Sequence, residues 1–382
     1  MGKHVYLVLK NLRRNRRRTV LTVLSTAISV FLIGSLISVY AIFFAKEVSE
    51  DSALRLITRH RVSLTQALPY YYGSRIAETD GVVRISPMNW FGGTYIDQRP
   101  ENMFARFAVD QEAIFEIYPE FKVPPEQVEA FKRDRQAVAV GKSIADRVGL
   151  AIGQRITIQG DIYPVDPELT VRAIFEGPDD QQAFFHFKYL EEAVGPERGS
   201  QVGVFAIKLR SASDASPVAQ AIDEMFRNAP EPTKTETEAA FQLSFINQLG
   251  NIKLFLLSIA CAIMFSMLMV TANTVAMSVR ERTREIGVLK TLGFQPGSVL
   301  GIVLGEALLI SLAGGAAGVL LTIFVTKAMS DVNVQFFTGF NLPAWGVLVC
   351  FATAILLSVG SSVIPATIAA RANIVDALRH TG

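Results

Sequence analysis

The stretch RERTREIGVLKTLGF, residues 280–294, decides how this chain is read. Glu281 and Arg284 stand three residues apart, and Ile286, Leu289 and Leu292 fall on one face. That spacing predicts a short helix with one apolar ridge and a charged remainder. Gly293 stands where a left-handed C-terminal cap belongs, and Pro296 stops the helix from running on. Apolar runs flank the segment on both sides. Residues 254–279 form 26 positions without a charge and 307–326 form 20, with Glu306 just ahead of the second. Two further runs, 20–44 and 344–370, hold 25 and 27 such positions. Each is long enough to cross about 30 Å of hydrocarbon as a helix rising 1.5 Å per residue.

The composition agrees with a membrane protein. Of 382 residues, 50% are apolar and only 19% charged, and the mean hydropathy is +0.32, which excludes a disordered chain. The net charge of +2 conceals two regions: residues 46–250 hold 22 basic and 30 acidic side chains, a net −8, and the rest carries +10. Basic residues also set direction. Seven precede the first run, four (Arg280, Arg282, Arg284 and Lys290) lie between the second and third, two (Arg371 and Arg379) follow the fourth, and Lys327 alone lies between the third and fourth. The positive-inside rule then places both termini and residues 280–298 in the cytoplasm, and residues 46–250 outside. The first run is too long for a cleaved signal, and Phe43 spoils a cleavage site before Lys46. Cys261 and Cys350 both fall in apolar runs, so neither a disulfide framework nor a paired-cysteine metal site is expected.

The expected fold class is therefore a membrane protein of four transmembrane helices, with a large α+β extracytoplasmic domain of two lobes between the first and second. The expected boundaries are a cytoplasmic amphipathic helix at 1–19, spans at 20–45, 251–279, 299–326 and 343–368, and the outer domain at 46–250. A cytoplasmic coupling loop at 280–298, a short outer loop at 327–342 and a cytoplasmic C-terminal helix at 369–382 complete the chain. Within the outer domain, alternation predicts strands at 61–68, 82–91, 105–110 and 203–210 and helices at 74–79 and 214–228, with a second strand-rich lobe inserted at about 123–190. Phe241, Phe245 and Leu249 recur every four residues and run toward the second span. They make either a stalk helix continuous with it or an amphipathic segment packed on its own domain.

Smaller features leave paired readings open. Val5, Val8, Leu9 and Leu12 share a face among Lys3, Lys10 and Arg13 to Arg18, which fits a helix in the anionic headgroup layer or a plain topology signal. The apolar ridge at 280–293 fits a groove on a partner, or its arginines hold lipid phosphates. Gly297, Gly301 and Gly305, then Gly314 and Gly318, repeat every four residues, as close helix packing in a dimer or within one chain requires. Glu306 pairs with the loop arginines or snorkels to the interface. Asn373 and Asp376 form the capping box of a last short helix, after Pro365, which is expected to kink or end the fourth span.

Enzyme chemistry finds no support. Gly141, Lys142 and Ser143 resemble the end of a P-loop, but Gln136 occupies the position of its first glycine, so the backbone cannot curl around a triphosphate. His4, His60, His186 and His380 are dispersed without metal-ligand spacing, and no G-x-S-x-G elbow is present. Tyr70, Tyr71 and Tyr72, with Trp90 and Phe91, make either a surface for an apolar ligand or a contact between lobes.

Taken together, residues 280–293, the PATIAAR at 365–371, the NIVDALR at 373–379 and the VAVGKSIADRVGLAIGQRITIQG at 138–160 resemble the MacB/FtsX/LolC-E superfamily of ABC transporter permeases, also called type VII or mechanotransmission permeases. Gln154, Asn373 and Ile374 depart from its commonest residues while preserving local geometry. The resemblance implies a stand-alone permease subunit in the cell inner membrane, itself no enzyme and without a cofactor. It implies a dimer with itself or a related permease, two copies of a separate ABC ATPase, membrane lipids around it, and for some members a periplasmic adaptor and outer-membrane channel. ATPase coupling would fall to Arg280, Glu281, Arg282, Arg284, Glu285, Ile286, Gly287, Leu289, Lys290, Leu292, Gly293, Arg371, Asp376, Leu378 and Arg379. Helix packing would fall to Gly301, Gly305, Gly314 and Gly318. The implied activity is export or extraction of an amphiphilic or lipid-linked cargo driven by the partner's ATP hydrolysis. The alternative is a non-transporting regulator of an extracytoplasmic cell-wall hydrolase.

Overall fold

The computed structural model describes residues 16–44, 50–195, 199–248, 251–331 and 340–371. The chain divides into two compact units. One contains residues 1–46, 250–332 and 339–382; the other contains 47–249 and 333–338.

In chain order, α1 (Arg16–Phe44) is followed by β1 (Arg55–His60), β2 (Leu68–Pro69), α2 (Tyr72–Ala77), β3 (Val82–Trp90), β4 (Thr94–Tyr95) and β5 (Ala105–Val109). Next come α3 (Ile114–Ile117), α4 (Pro125–Arg133), β6 (Ala137–Gly141), α5 (Lys142–Val148), β7 (Arg155–Gln159), β8 (Glu168–Phe175), β9 (Gln182–His186) and α6 (Phe187–Val194). The second unit ends with β10 (Gln201–Val202), β11 (Val204–Leu209), α7 (Ala215–Met225), β12 (Thr233–Thr237) and α8 (Glu238–Gln248). Four helices close the chain: α9 (Ile252–Glu281), α10 (Thr283–Thr291), α11 (Pro296–Asp331) and α12 (Ala344–Arg371).

The second unit is built on one ten-stranded sheet in the order β12-β1-β11-β3-β5-β9-β6-β8-β7-β4. The inserted segment does not form a detached lobe: β9 runs parallel to β5 and joins its strands to the others edge to edge. Alternation along the strands separates two hydrophobic clusters. Leu56, Val138 and Val140 enter one, with Tyr72 and Phe226; Ile57, Ala137 and Ala139 enter the other, with Phe131 and Phe175. The period of two thus places one core on each face of the sheet.

Two expectations need correction. The first strand is 55–60 rather than 61–68, and all six of its residues are buried although three are Arg55, Arg59 and His60. Partners from distant sequence make that burial tolerable: Arg55 meets Glu238 and Glu120, Arg59 meets Glu236, and His60 meets Glu231. Second, the helix does not end at Pro365: α12 continues to Arg371. Leu249 and Gly250, where the two readings of the stalk diverge, lie outside the described residues. Asn251 leaves the helical conformation and its side chain accepts a hydrogen bond from the Leu254 N–H at 3.0 Å, so α9 begins with its own cap.

The Gly141 to Ser143 turn has an anion of its own. The Asp180 carboxylate already takes the Ser143 N–H at 3.0 Å and its hydroxyl at 2.7 Å, so the positive end of α5 is occupied by the chain's own anion.

Candidate functional site

The membrane unit is held by small and hydroxylated residues. A Cβ at Gly314 would lie 2.6 Å from Thr26 Cβ, one at Gly318 2.5 Å from the Ala27 carbonyl, and one at Gly34 2.7 Å from Thr322 Oγ1. These three positions set α1 against α11 at a distance no side chain would permit. The Ser358 hydroxyl on α12 donates to the Ala307 carbonyl of α11 at 3.1 Å. Among the proposed packing glycines, then, Gly314 and Gly318 meet α1 of the same chain. Gly301 faces open space, and Gly305 is half-buried.

At one end of this bundle α9 stops at Glu281. Arg282, with φ −109° and ψ 11°, breaks the helix, and α10 starts at Thr283. Gly293 closes α10 with φ +89°, the left-handed geometry that its lack of a Cβ allows, and Pro296 opens α11. Ile286 is buried against Val299 of α11 and Ala369 of α12, and Gly287 is buried beside it. The expected ridge is therefore divided. Ile286 belongs to the chain's own interior and Leu289 is half-buried, whereas Leu292 is 71% exposed. The free face of α10 carries Arg284, Val288, Thr291 and Leu292, with Val288 45% exposed.

A charge network sits where α9 gives way to α10. Glu306, only 8% exposed, accepts from Arg282 at 2.8 Å and from Arg18 at 3.5 Å. Arg18 also donates to Glu281 at 2.7 Å. Glu306 is thus paired with a loop arginine, and Glu281 is held by Arg18 of α1. Arg18 was visible in the sequence only as one of a basic run; the carboxylates that hold it lie 263 and 288 residues away. Arg280, Glu285 and Lys290 lie on the same short segment, and Arg371 is exposed at the end of α12. Asp376, Leu378 and Arg379 lie outside the described residues. Among the described residues no group of three metal-ligating side chains lies close enough to hold an ion.

Four helices long and apolar enough to cross a bilayer, with an α/β domain following the first in the chain, are the architecture of a multi-pass membrane protein. Family models place it further. The MacB-like periplasmic core domain matches residues 19–225, more than half of the chain, and the FtsX-like permease C-terminal region matches residues 257–374, so the chain belongs to the MacB/FtsX family of permeases. It is 41% identical over 108 residues, 28% of this chain, to "Macrolide export ATP-binding/permease protein MacB 1" of Aeromonas hydrophila. It is 29% identical over 260 residues, 65% of this chain, to "Pyoverdine export ATP-binding/permease protein PvdT" of Pseudomonas fluorescens. The chain spans 16% and 39% of the lengths of these two relatives. An uncharacterized ABC transporter permease of Methanocaldococcus jannaschii is 22% identical over 97% of this chain and 96% of its own length.

Proposed function

We propose that this chain is the permease subunit of an ABC transporter, with both termini and α10 in the cytoplasm and the α/β domain outside. A separate ABC ATPase docks on α10 and relays its ATP-driven motion through the membrane helices. The observation that carries this reading is the split of α10 itself. One side, Ile286 and Gly287, is anchored in the chain's own bundle, while the other presents exposed Val288 and Leu292 beside Arg284. An apolar pair flanked by a cation on an anchored helix suits insertion into a groove of a partner.

The names of the Aeromonas and Pseudomonas relatives, macrolide export and pyoverdine export, support outward movement of an amphiphilic cargo. They favour it over regulation of a cell-wall hydrolase. The permease works as a dimer with itself or a related chain, and an adaptor and outer-membrane channel extend the path where a second membrane is present. The test is titration of the purified ABC ATPase subunit onto the chain in lipid nanodiscs. Leu292→Asp is expected to weaken binding by about tenfold or more, since a carboxylate replaces a desolvated anchor worth about 2 kcal/mol. Unchanged affinity for Leu292→Asp and Val288→Asp refutes docking on this face.

A further inference from the structure

The segment on which the proposed partner would push, α10, is joined to α9 by the chain but not by continuous helix. At Arg282 the backbone leaves the helical path, so force applied to α10 bends the junction instead of travelling along α9. The Thr283 hydroxyl crosses the break to the Val279 and Arg280 carbonyls of α9 at 3.1 and 3.0 Å, and further contacts tie this segment to the neighbouring helices. Ile286 packs on Val299 and Ala369, and Arg282 donates to Glu306 at 2.8 Å. The same carboxylate meets Arg18 on α1, and Arg18 in turn holds Glu281. With only 10% of its side chain exposed, Glu306 has little water to replace a lost partner, so its pairings resist exchange.

Beyond Glu306 the mechanical path is set by packing. α1 and α11 approach so closely at Gly34, Gly314 and Gly318 that neither slides past the other without collision, and the Thr322 hydroxyl of α11 adds a hydrogen bond to the Phe31 carbonyl of α1 at 3.4 Å. In contrast, α9 is buried along a narrow stripe of Met267, Thr271 and Val275. Phe255, Phe265 and Met277 on the same helix are more than half exposed.

We infer that Glu306 is a positioning residue that pins α10 to α11 and α1, so that displacement of α10 is delivered to the α1–α11 pair as one body and α9 follows. The inference deepens the proposed docking of an ATPase on α10, but its first test needs no partner. In the full chain in lipid nanodiscs, with Cys261→Ala and Cys350→Ala, spin labels at Val288→Cys and Leu24→Cys report the distance from α10 to α1. A second pair, Leu24→Cys and Leu320→Cys, reports the α1–α11 packing. The native carboxylate gives narrow distributions for both pairs. Glu306→Gln broadens the first and leaves the second narrow, and Glu306→Asp restores much of the first. If the first stays narrow in Glu306→Gln, or if both broaden together, the assignment fails.

A second measurement uses the complex with the ABC ATPase subunit, trapped with ATP and vanadate. Labels at Leu24→Cys and Phe265→Cys shift on trapping when Glu306 is present and do not shift in Glu306→Gln at equal ATPase occupancy. An equal shift in both overturns the inference. Failure of the unsubstituted chain to bind an ATPase overturns the proposed function instead, and the distances in the partner-free chain then decide the role of Glu306 by themselves.

Discussion

Replacing Arg55 by methionine is expected to destabilise the α/β domain more than any surface change. Arg55 is 3% exposed; its guanidinium meets Glu238 at 2.6 Å and Glu120 at 2.7 Å and lies 4.5 Å from the centre of the Tyr118 ring. Methionine fills much of the volume, so the change removes charge rather than packing. It leaves two carboxylates, each with 14% of its side chain exposed, facing one another without a cation. Loss of one partner from a buried pair costs about 3–5 kcal/mol. At about 2–4 °C per kcal/mol for a domain of this size, the melting temperature of the full chain in detergent falls by roughly 6–20 °C.

The pH dependence has a definite sign. Burial raises the Glu238 pKa above its ordinary value even with Arg55 present, and removing the cation raises it further. A carboxyl whose pKa is raised by folding contributes stability that is present on the acid side and lost as pH rises through the folded value. The deficit of Arg55→Met relative to the unsubstituted chain is therefore larger at about pH 8 than at about pH 5. Adding Glu120→Gln and Glu238→Gln to Arg55→Met removes the uncompensated charges and recovers most of the loss. The reasoning is refuted if Arg55→Met melts within about 2 °C of the unsubstituted chain, or if the triple variant melts as low as the single one.

Two further outcomes follow from local geometry. Gly318→Leu forces a side chain against the Ala27 carbonyl and Val30, so it costs about 1–3 kcal/mol or more in thermal unfolding, whereas Gly301→Ala, facing open space, leaves the midpoint unchanged. Asp180→Ala uncaps α5 at Ser143 and lowers the stability measured by denaturant titration by about 1 kcal/mol.

What the sequence shows plainly is what one element shows by itself. Four uncharged runs of 20 or more residues admit little besides spans, and β3, β5 and β11 carry short β-rich patterns between turn residues. The turn at Gly293 is legible because few residues other than glycine accept its φ. The strand β1 is hidden because RLITRH has the charge of a surface segment, and its neutralising carboxylates, Glu236 and Glu238, stand 177 and 183 residues away. The same limit applies to the site. A helical wheel of α10 shows the ridge, but only Val299 and Ala369, brought up by α11 and α12, determine that Ile286 turns inward and leaves Leu292 free. Arg18 and Glu306 enter the site for an equally non-local reason, since the charges they meet stand on other helices and in the loop.

The central claim, that ATP hydrolysis by a partner on α10 moves the domain at 47–249, is tested most directly by hydrogen exchange on the reconstituted complex. Protection within that domain is compared with and without ATP, in the unsubstituted chain and in Leu292→Asp. The account predicts an ATP-dependent change in the unsubstituted complex that disappears in Leu292→Asp. A domain whose exchange is the same with and without ATP, while the bound ATPase turns over, contradicts it.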